Sequence, residues 1–324
     1  MAGGVSPRAA TETGPGGGPG TEPKMGFVGV RTAGSSIMKV FPRWAEALGL
    51  PARRLVGHDL PLDASAADYR ALVTAIRDDP AHLGALVTTH KIGVFRAASD
   101  QFDELDEFAR LCGEISSISK NGGRLIGHAK DPVTAGLSLE EFLPPGHFAR
   151  TGADVVCLGA GGAGTALTWY LARRPDAPAR IVCTDTSAER LAHLRDVHLG
   201  GELDPGLFRY ELVESAGDGD RLVTAAARGS LVVNATGLGK DRPGSPLTAA
   251  VRFPEHGLVW ELNYRGRLDF LQQSLAQRDA RDLTVIDGWR YFIHGWTQAI
   301  AEVFHLDLDT ATVERLAAIA EELR

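Results

Sequence analysis

The chain has 324 residues, 44% of them hydrophobic and 23% charged, with a formal net charge of −7. That is enough chain for two domains with cores of their own, and the negative balance argues against nucleic acid or an anionic membrane as partner. No apolar run approaches the ~18 residues that span a bilayer, and the first residues lack the basic-then-apolar order of a secretion signal, so a cytoplasmic protein is expected.

Residues 1–24 are rich in Gly, Pro and Thr without periodicity, and such a segment buries too little apolar surface to offset its ordering entropy, so a disordered tail is expected there. From Met25 onward strand-like and helical patterns alternate: "GFVGV", the helical "IMKVFPRWAEALGL", "RRLVGHDL", the helical "AADYRALVTAIRDD", and the strand "GALVTT". This alternation predicts a largely parallel sheet with helices on its faces. "DELDEFARLC" reads as a helix, and Asn121-Gly122 between two short strands signals a hairpin. Asp131-Pro132 then opens another helix, with Asp as cap and Pro in the first turn. A second alternating series runs from "ADVVCLGAGGAGTALTWYLARR" through "ARIVCTDTSAERLAHL", "GSLVVNATGLG" and "HGLVWELNY", and the chain ends in helices. The three cysteines, Cys112, Cys157 and Cys183, fall in apolar runs with no C-x-x-C spacing. They read as small buried side chains, with neither disulfide nor metal site expected.

Gly159, Gly161 and Gly164, with Gly162 between them, form G-x-G-x-x-G after a strand and before a helix. The first glycine permits the tight turn, the second lets a pyrophosphate approach the backbone, and the third lets helix pack on strand. Asp185 follows about 20 residues on, the distance at which an acid meets the adenine-side ribose of a dinucleotide. A Gly-rich structural turn is the bland alternative. "VVNATGLG" ends a further strand with Asn234 and Thr236, where a doubly wound sheet lines its cofactor crevice, or where a strand merely exits into solvent. In "GALVTTHKIGVF" an apolar run stops at Thr88, Thr89, His90 and Lys91. Either a strand end is wetting its polar residues there, or it delivers a lysine to a site.

These motifs, in this order, resemble the shikimate dehydrogenase family over nearly everything after Met25. "GALVTTHK" resembles its N-V-T-x-P-H-K, "LIGHAKD" its L-I-G-Y-N-T-D, "GAGGAG" its G-A-G-G-A, and "NATGLG" its N-A-T-S-x-G. "WELNY" is similar to its D-L-x-Y run and "DGWRYFIHG" to its D-G-x-x-M-L-V-x-Q. The resemblance implies an α/β, two-lobed enzyme: a substrate lobe of residues 25–131 and 288–324, and a Rossmann dinucleotide-binding lobe of residues 132–287. It would pass a hydride between a nicotinamide cofactor and a ring carbon bearing a hydroxyl or ketone. Lys91 falls on the family's catalytic lysine and Asp131 on its paired aspartate, and a lysine held by a carboxylate can supply the proton that hydride transfer to a carbonyl demands. Alone, Lys91 could be a solvated helix start and Asp131 only a cap. His90 reads as a structural hydrogen-bonder. Ser35, Thr88, Ser116, Tyr264 and Gln298 fall at or near substrate positions, with Thr88 and Thr89 both open. Gly159, Gly161, Gly162, Gly164, Asp185, Asn234, Thr236 and Gly288 form the cofactor set.

Departures cluster on the substrate side. The second serine of the family's S-x-S falls on Ile37, an asparagine on Ser116, another on Ala129, and a glutamine on Gly295. Each lost polar partner would cost a shikimate-like ligand roughly 1–3 kcal/mol, so a shikimate-, quinate- or cyclitol-like hydroxy acid is expected, with shikimate itself a poor substrate. Arg31 is a candidate replacement anchor for a carboxylate. Where many members carry N-R-T to hold a 2′-phosphate, "TDT" puts Asp185 in the arginine's place, so NAD is expected over NADP. A catalytically inactive NAD-binding regulator and a methylenetetrahydrofolate dehydrogenase-like enzyme are the competing readings; retention of Lys91 and Asp131 speaks against the first. A monomer or homodimer is expected.

Overall fold

Apolar strand segments separated by amphipathic helices build two sheets. The computed structural model describes residues 6–7, 22–240 and 242–324, and the chain divides into one unit of residues 1–130 with 293–324 and a second of residues 131–292.

In the first unit the sheet order is Arg54–Asp59, Lys24–Gly29, His82–Val87, Ser117–Asn121, Arg124–His128, Glu104–Leu105. The first three strands are parallel and Ser117–Asn121 runs against its neighbours, so the sheet is mixed. The hairpin forms as the Asn-Gly signal requires: Asn121 pairs with Arg124 across Gly122 and Gly123, which have φ of 57° and 81°. Helix Ile37–Leu48 buries Ile37, Val40, Phe41, Trp44 and Ala45, one apolar stripe at helical spacing, and stops at Gly49 in the left-handed region. Trp44 Nε1 donates to the Leu316 carbonyl at 2.7 Å, fastening the C-terminal helix Thr310–Glu321 into this unit. The core is centred on Val28, Val73, Ile76, Val87, Ile115 and Ile118.

Two expectations need adjusting here. Lys24, placed in the disordered tail, already belongs to the first strand, and its ammonium pairs with Asp79 at 2.5 Å; Ser6–Pro7 bridges to Leu306–Asp307, and residues 1–5 and 8–21 of that segment lie outside the described residues. "DELDEFARLC" is a two-residue strand, Glu104–Leu105, followed by a shorter helix, Glu107–Cys112. Asp106 enforces the break by accepting from Ala109 N at 2.7 Å as the helix cap.

The second unit has six parallel strands in the order Phe208–Leu212, Ile181–Asp185, Val155–Leu158, Leu231–Asn234, Leu258–Glu261, Thr284–Ile286. The chain moves outward from Val155–Leu158 to one side, then returns to build the other side from Leu231–Asn234. The switch point therefore lies between those two strands, where doubly wound sheets bind ligands. Helix Asp131–Glu140 packs on helix Gly162–Ala172, and Gly136 lies so close to the Tyr170 ring that a methyl there would overlap it. All three cysteines are buried and free, and no helix among the described residues is long and apolar enough to cross a membrane.

Candidate active site

In the second unit the glycine turn sits at the switch point, and its glycines do different things. Gly159 takes φ +108°, and a Cβ there would stand 2.8–2.9 Å from the backbone of Ala235 and Thr236. A Cβ on Gly164 would overlap the Gly159 carbonyl oxygen, so the helix rests directly on the turn. Gly161 is the N-cap of helix Gly162–Ala172, with an ordinary extended backbone, and a Cβ there would meet nothing within 4 Å. Two glycines are thus explained by packing, and Gly161 leaves open space at a helix N-terminus, where amide N–H groups favour a phosphate.

Asp185 ends the adjacent strand, but it is turned inward. One oxygen accepts from Ala160 N and the other from Ser187 N, both at 2.9 Å, and the residue is 7% exposed. Its carboxylate braces the glycine turn. Thr186 and Arg190 are the exposed residues beyond it, with the Arg190 guanidinium 3.8 Å from Asp185.

On the other side of the switch point, Asn234 Oδ1 accepts from Thr236 N at 3.1 Å and from Thr236 Oγ1 at 2.6 Å, while its amide donates to Glu261 at 2.8 Å. Asn263 binds the same carboxylate through N and Nδ2, at 2.8 and 2.7 Å. Burial pushes the Glu261 carboxyl up to about 7, against the pull of these donors. Glu261 is not singled out from the sequence; its signals are an acid closing an apolar strand in "VWELN" and its place on the acid of the D-L-x-Y resemblance. Gly288 lies against the Leu262–Asn263 backbone with no room for a Cβ. Tyr264 is half-buried, its ring 4.4 Å from Phe292 and 5.7 Å from the Lys240 ammonium.

In the first unit the junction after His82–Val87 is held by hydrogen bonds, with no turn glycine. Thr88 donates through Oγ1 and N to the Val28 carbonyl, at 3.1 and 3.0 Å, whereas Thr89 is exposed. His90 is buried: its Nε2 donates to the Leu60 carbonyl at 3.1 Å, leaving Nδ1 to accept from the Tyr69 hydroxyl at 2.9 Å. Burial lowers its pKa, and both ring nitrogens are engaged as a structural residue requires. Lys91 opens helix Lys91–Ala98 and is half-buried. Its carbonyl accepts from Ile115 N at 3.1 Å, while Ser116 Oγ accepts from Lys130 N at 2.7 Å. The Ile115–Ser116 turn therefore binds the backbone of Lys91 on one side and of Lys130, the residue before Asp131, on the other. Ser116 thus has its hydroxyl committed to backbone. Asp131 is the buried first residue of helix Asp131–Glu140.

Ser35 is buried in a turn closed by its own N–H to Thr32, and Gln298 and Gly295 lie half-buried on helix Trp289–Phe304. Ile37 and Ala129, at two of the family's polar positions, are wholly buried apolar groups. No group of three or more metal-ligating side chains occurs among the described residues.

No family model matches the chain. Among curated proteins, it is 31% identical over 216 residues to a shikimate dehydrogenase (NADP(+)) of Symbiobacterium thermophilum, covering 65% of this chain and 68% of the relative. It is 33% identical over 212 residues to a shikimate dehydrogenase (NADP(+)) of Salinibacter ruber, covering 63% and 68%. Among solved structures, a quinate dehydrogenase from Corynebacterium glutamicum in complex with NAD superposes with a TM-score of 0.70 at 22% identity, over 93% of this chain and 99% of that one; at that identity the likeness speaks for the fold. The expected preference for NAD is corrected by these findings. Both curated relatives carry NADP(+) in their names, and the charge invoked against a 2′-phosphate is spent on the Ala160 and Ser187 amides.

Proposed function

The chain belongs to the shikimate dehydrogenase family, and on that premise we propose that it is an oxidoreductase moving a hydride between a nicotinamide cofactor and a ring hydroxyl or ketone of a shikimate- or quinate-like acid or a cyclitol. The observation that carries this is the glycine turn at the switch point, open at Gly161 and closed by packing at Gly159 and Gly164.

NADP(H) is the cofactor in this reading. Gly161, Gly162 and the N-terminus of helix Gly162–Ala172 would hold the pyrophosphate, and Asn234 and Thr236 would line the nicotinamide side. Arg190, exposed on the first turn of helix Ala188–Gly200, would meet the 2′-phosphate. Bound there, the nicotinamide supplies the hydride acceptor or donor. The protein itself handles the proton. Lys91 gives it to, or takes it from, the substrate oxygen, with Asp131 as the carboxylate that completes the pair. Tyr264, Ser35 and Gln298 are assigned to the substrate. Shikimate itself should be slow, because Ile37 and Ala129 offer no polar atom where the family has one.

The test is a spectrophotometric assay of NADP(+) reduction against a panel of shikimate, quinate and cyclitols. Turnover of a ring alcohol supports the reading. No hydride transfer with any member, in either direction and with either cofactor, overturns it.

A further inference from the structure

Glu261 ends strand Leu258–Glu261 in register with Asn234 on the parallel neighbour, and it is fully buried. Its three hydrogen-bond partners, Asn263 N, Asn263 Nδ2 and Asn234 Nδ2, are all donors. Such a site is shaped for the anion, yet no cation is among these partners. Asn263 Nδ2 also reaches the carbonyls of Thr236 and Leu238, at 3.2 and 3.1 Å, so one carboxylate gathers the exit loops of two adjacent strands.

Its position follows from the sheet order. With a pyrophosphate on the Gly159–Gly164 turn, the adenine half would lie toward strand Ile181–Asp185 and the nicotinamide half toward the exits of Leu231–Asn234 and Leu258–Glu261, the neighbouring strands. The oxidised nicotinamide ring carries a positive charge and the reduced ring none.

We propose that Glu261 is a positioning residue for the nicotinamide half whose buried negative charge favours the oxidised cofactor over the reduced one. This rests on the cofactor reading above. By Coulomb's law a partly screened unit charge acting over about 10 Å would change the ratio of the two affinities about three- to tenfold.

The experiment titrates NADP(+) and NADPH into the full chain by calorimetry at pH 8. Glu261→Gln puts an amide donor against the Asn234 donor, so both affinities should fall, and the ratio of dissociation constants should move against NADP(+) by about three- to tenfold. The swap Asn234→Asp with Glu261→Gln restores an acceptor opposite a donor and keeps one charge, so it should recover affinity and return the ratio toward wild type. Equal losses for both cofactor forms in Glu261→Gln, or none, overturn the proposal.

If Glu261→Gln does not fold, wild type gives the answer between pH 8 and pH 6, where protonation of a carboxyl raised to about 7 removes the charge. The phosphates common to both forms cancel in the ratio. The charged groups on elements packed against this strand are Asp287, which accepts from Trp289 N, the Arg267–Asp269 pair at the head of helix Asp269–Leu275, the Arg290–Glu141 pair beside the Tyr291 and Phe142 rings that pack on Trp260, and Lys240 over the Tyr264 ring. A ratio turning against NADP(+) on acidification supports the proposal, and a flat ratio overturns it. Wild type that binds neither form overturns the cofactor reading itself.

Discussion

Gly161 and Gly164 stand three residues apart in one motif, yet alanine should affect them in opposite ways. At Gly161 the backbone has φ −80° and ψ −176°, which alanine adopts freely, and no atom stands within 4 Å of the new methyl. Folding should therefore change little, because a gain of about 0.4–1 kcal/mol from the less flexible unfolded chain is offset by the preference for glycine over alanine at an N-cap. The methyl would instead occupy the space kept for the pyrophosphate, and overpacking of that kind costs about 1–3 kcal/mol, a loss of roughly ten- to a hundredfold in cofactor affinity. At Gly164 the methyl overlaps the Gly159 carbonyl, with Cys157 Sγ a further 3.4 Å neighbour. The helix would have to retreat by about 1 Å to reach ordinary contact, at a cost of about 1–3 kcal/mol or more in stability. Calorimetric melting without cofactor and titration with NADP(H) separate the two effects. Gly161→Ala binding cofactor as tightly as wild type would show that this turn does not cradle a pyrophosphate. Gly164→Ala melting with wild type would remove the packing role.

Lys91→Ala should lower turnover by roughly 10²–10⁴-fold while cofactor affinity stays near wild type; full activity would show that the junction is only a polar strand end. Asp131→Asn should also reduce turnover, and the double variant should lose less than the two separate losses combined, whereas a cap role alone would cost about 1 kcal/mol of stability and leave turnover intact. Arg190→Ala should raise the KM for NADP(H) by about tenfold or more and leave that for NAD(H) nearly unchanged; equal effects on both would clear Arg190 of the 2′-phosphate. Stability should respond to acid through His82 and His198, each pushed down to about 4 by burial. Between about 4 and 6.5 the unfolded chain binds protons that the folded one refuses, so these groups destabilise the fold as pH falls through that window, while Glu261, raised to about 7, acts in the opposite sense. His198→Gln isolates one contribution: its unfolding free energy in urea should gain on wild type by about 2 kcal/mol between pH 7 and pH 5, and parallel profiles would refute it.

How far the sequence could be read differs from residue to residue, for physical reasons. The Asn121-Gly122 hairpin and the glycine turn were legible because backbone geometry there admits few residue types. The helix drawn through "DELDEFARLC" began too early, because Asp106 reads as a helix residue by pattern and acts as a cap through a bond to Ala109 N. Asp185 shows the limit most clearly. Its place at the strand end after the glycine motif was legible, but its effect on a cofactor depends on which donors its oxygens already serve. Local pattern does not reveal that Ala160 N, from the glycine turn 25 residues earlier, claims one oxygen and Ser187 N the other. A carboxylate that braces a loop offers a passing phosphate far less than its full charge, because the amide dipoles pointing at it offset much of its field. Glu261 stands out on the same grounds, although pattern passes over it as the last residue of a buried strand. Three donors around this buried carboxyl suit its charged form, while burial pulls the other way and raises it to about 7. At both strand ends, what the carboxylate can offer a ligand turns on hydrogen-bond partners brought together by the sheet.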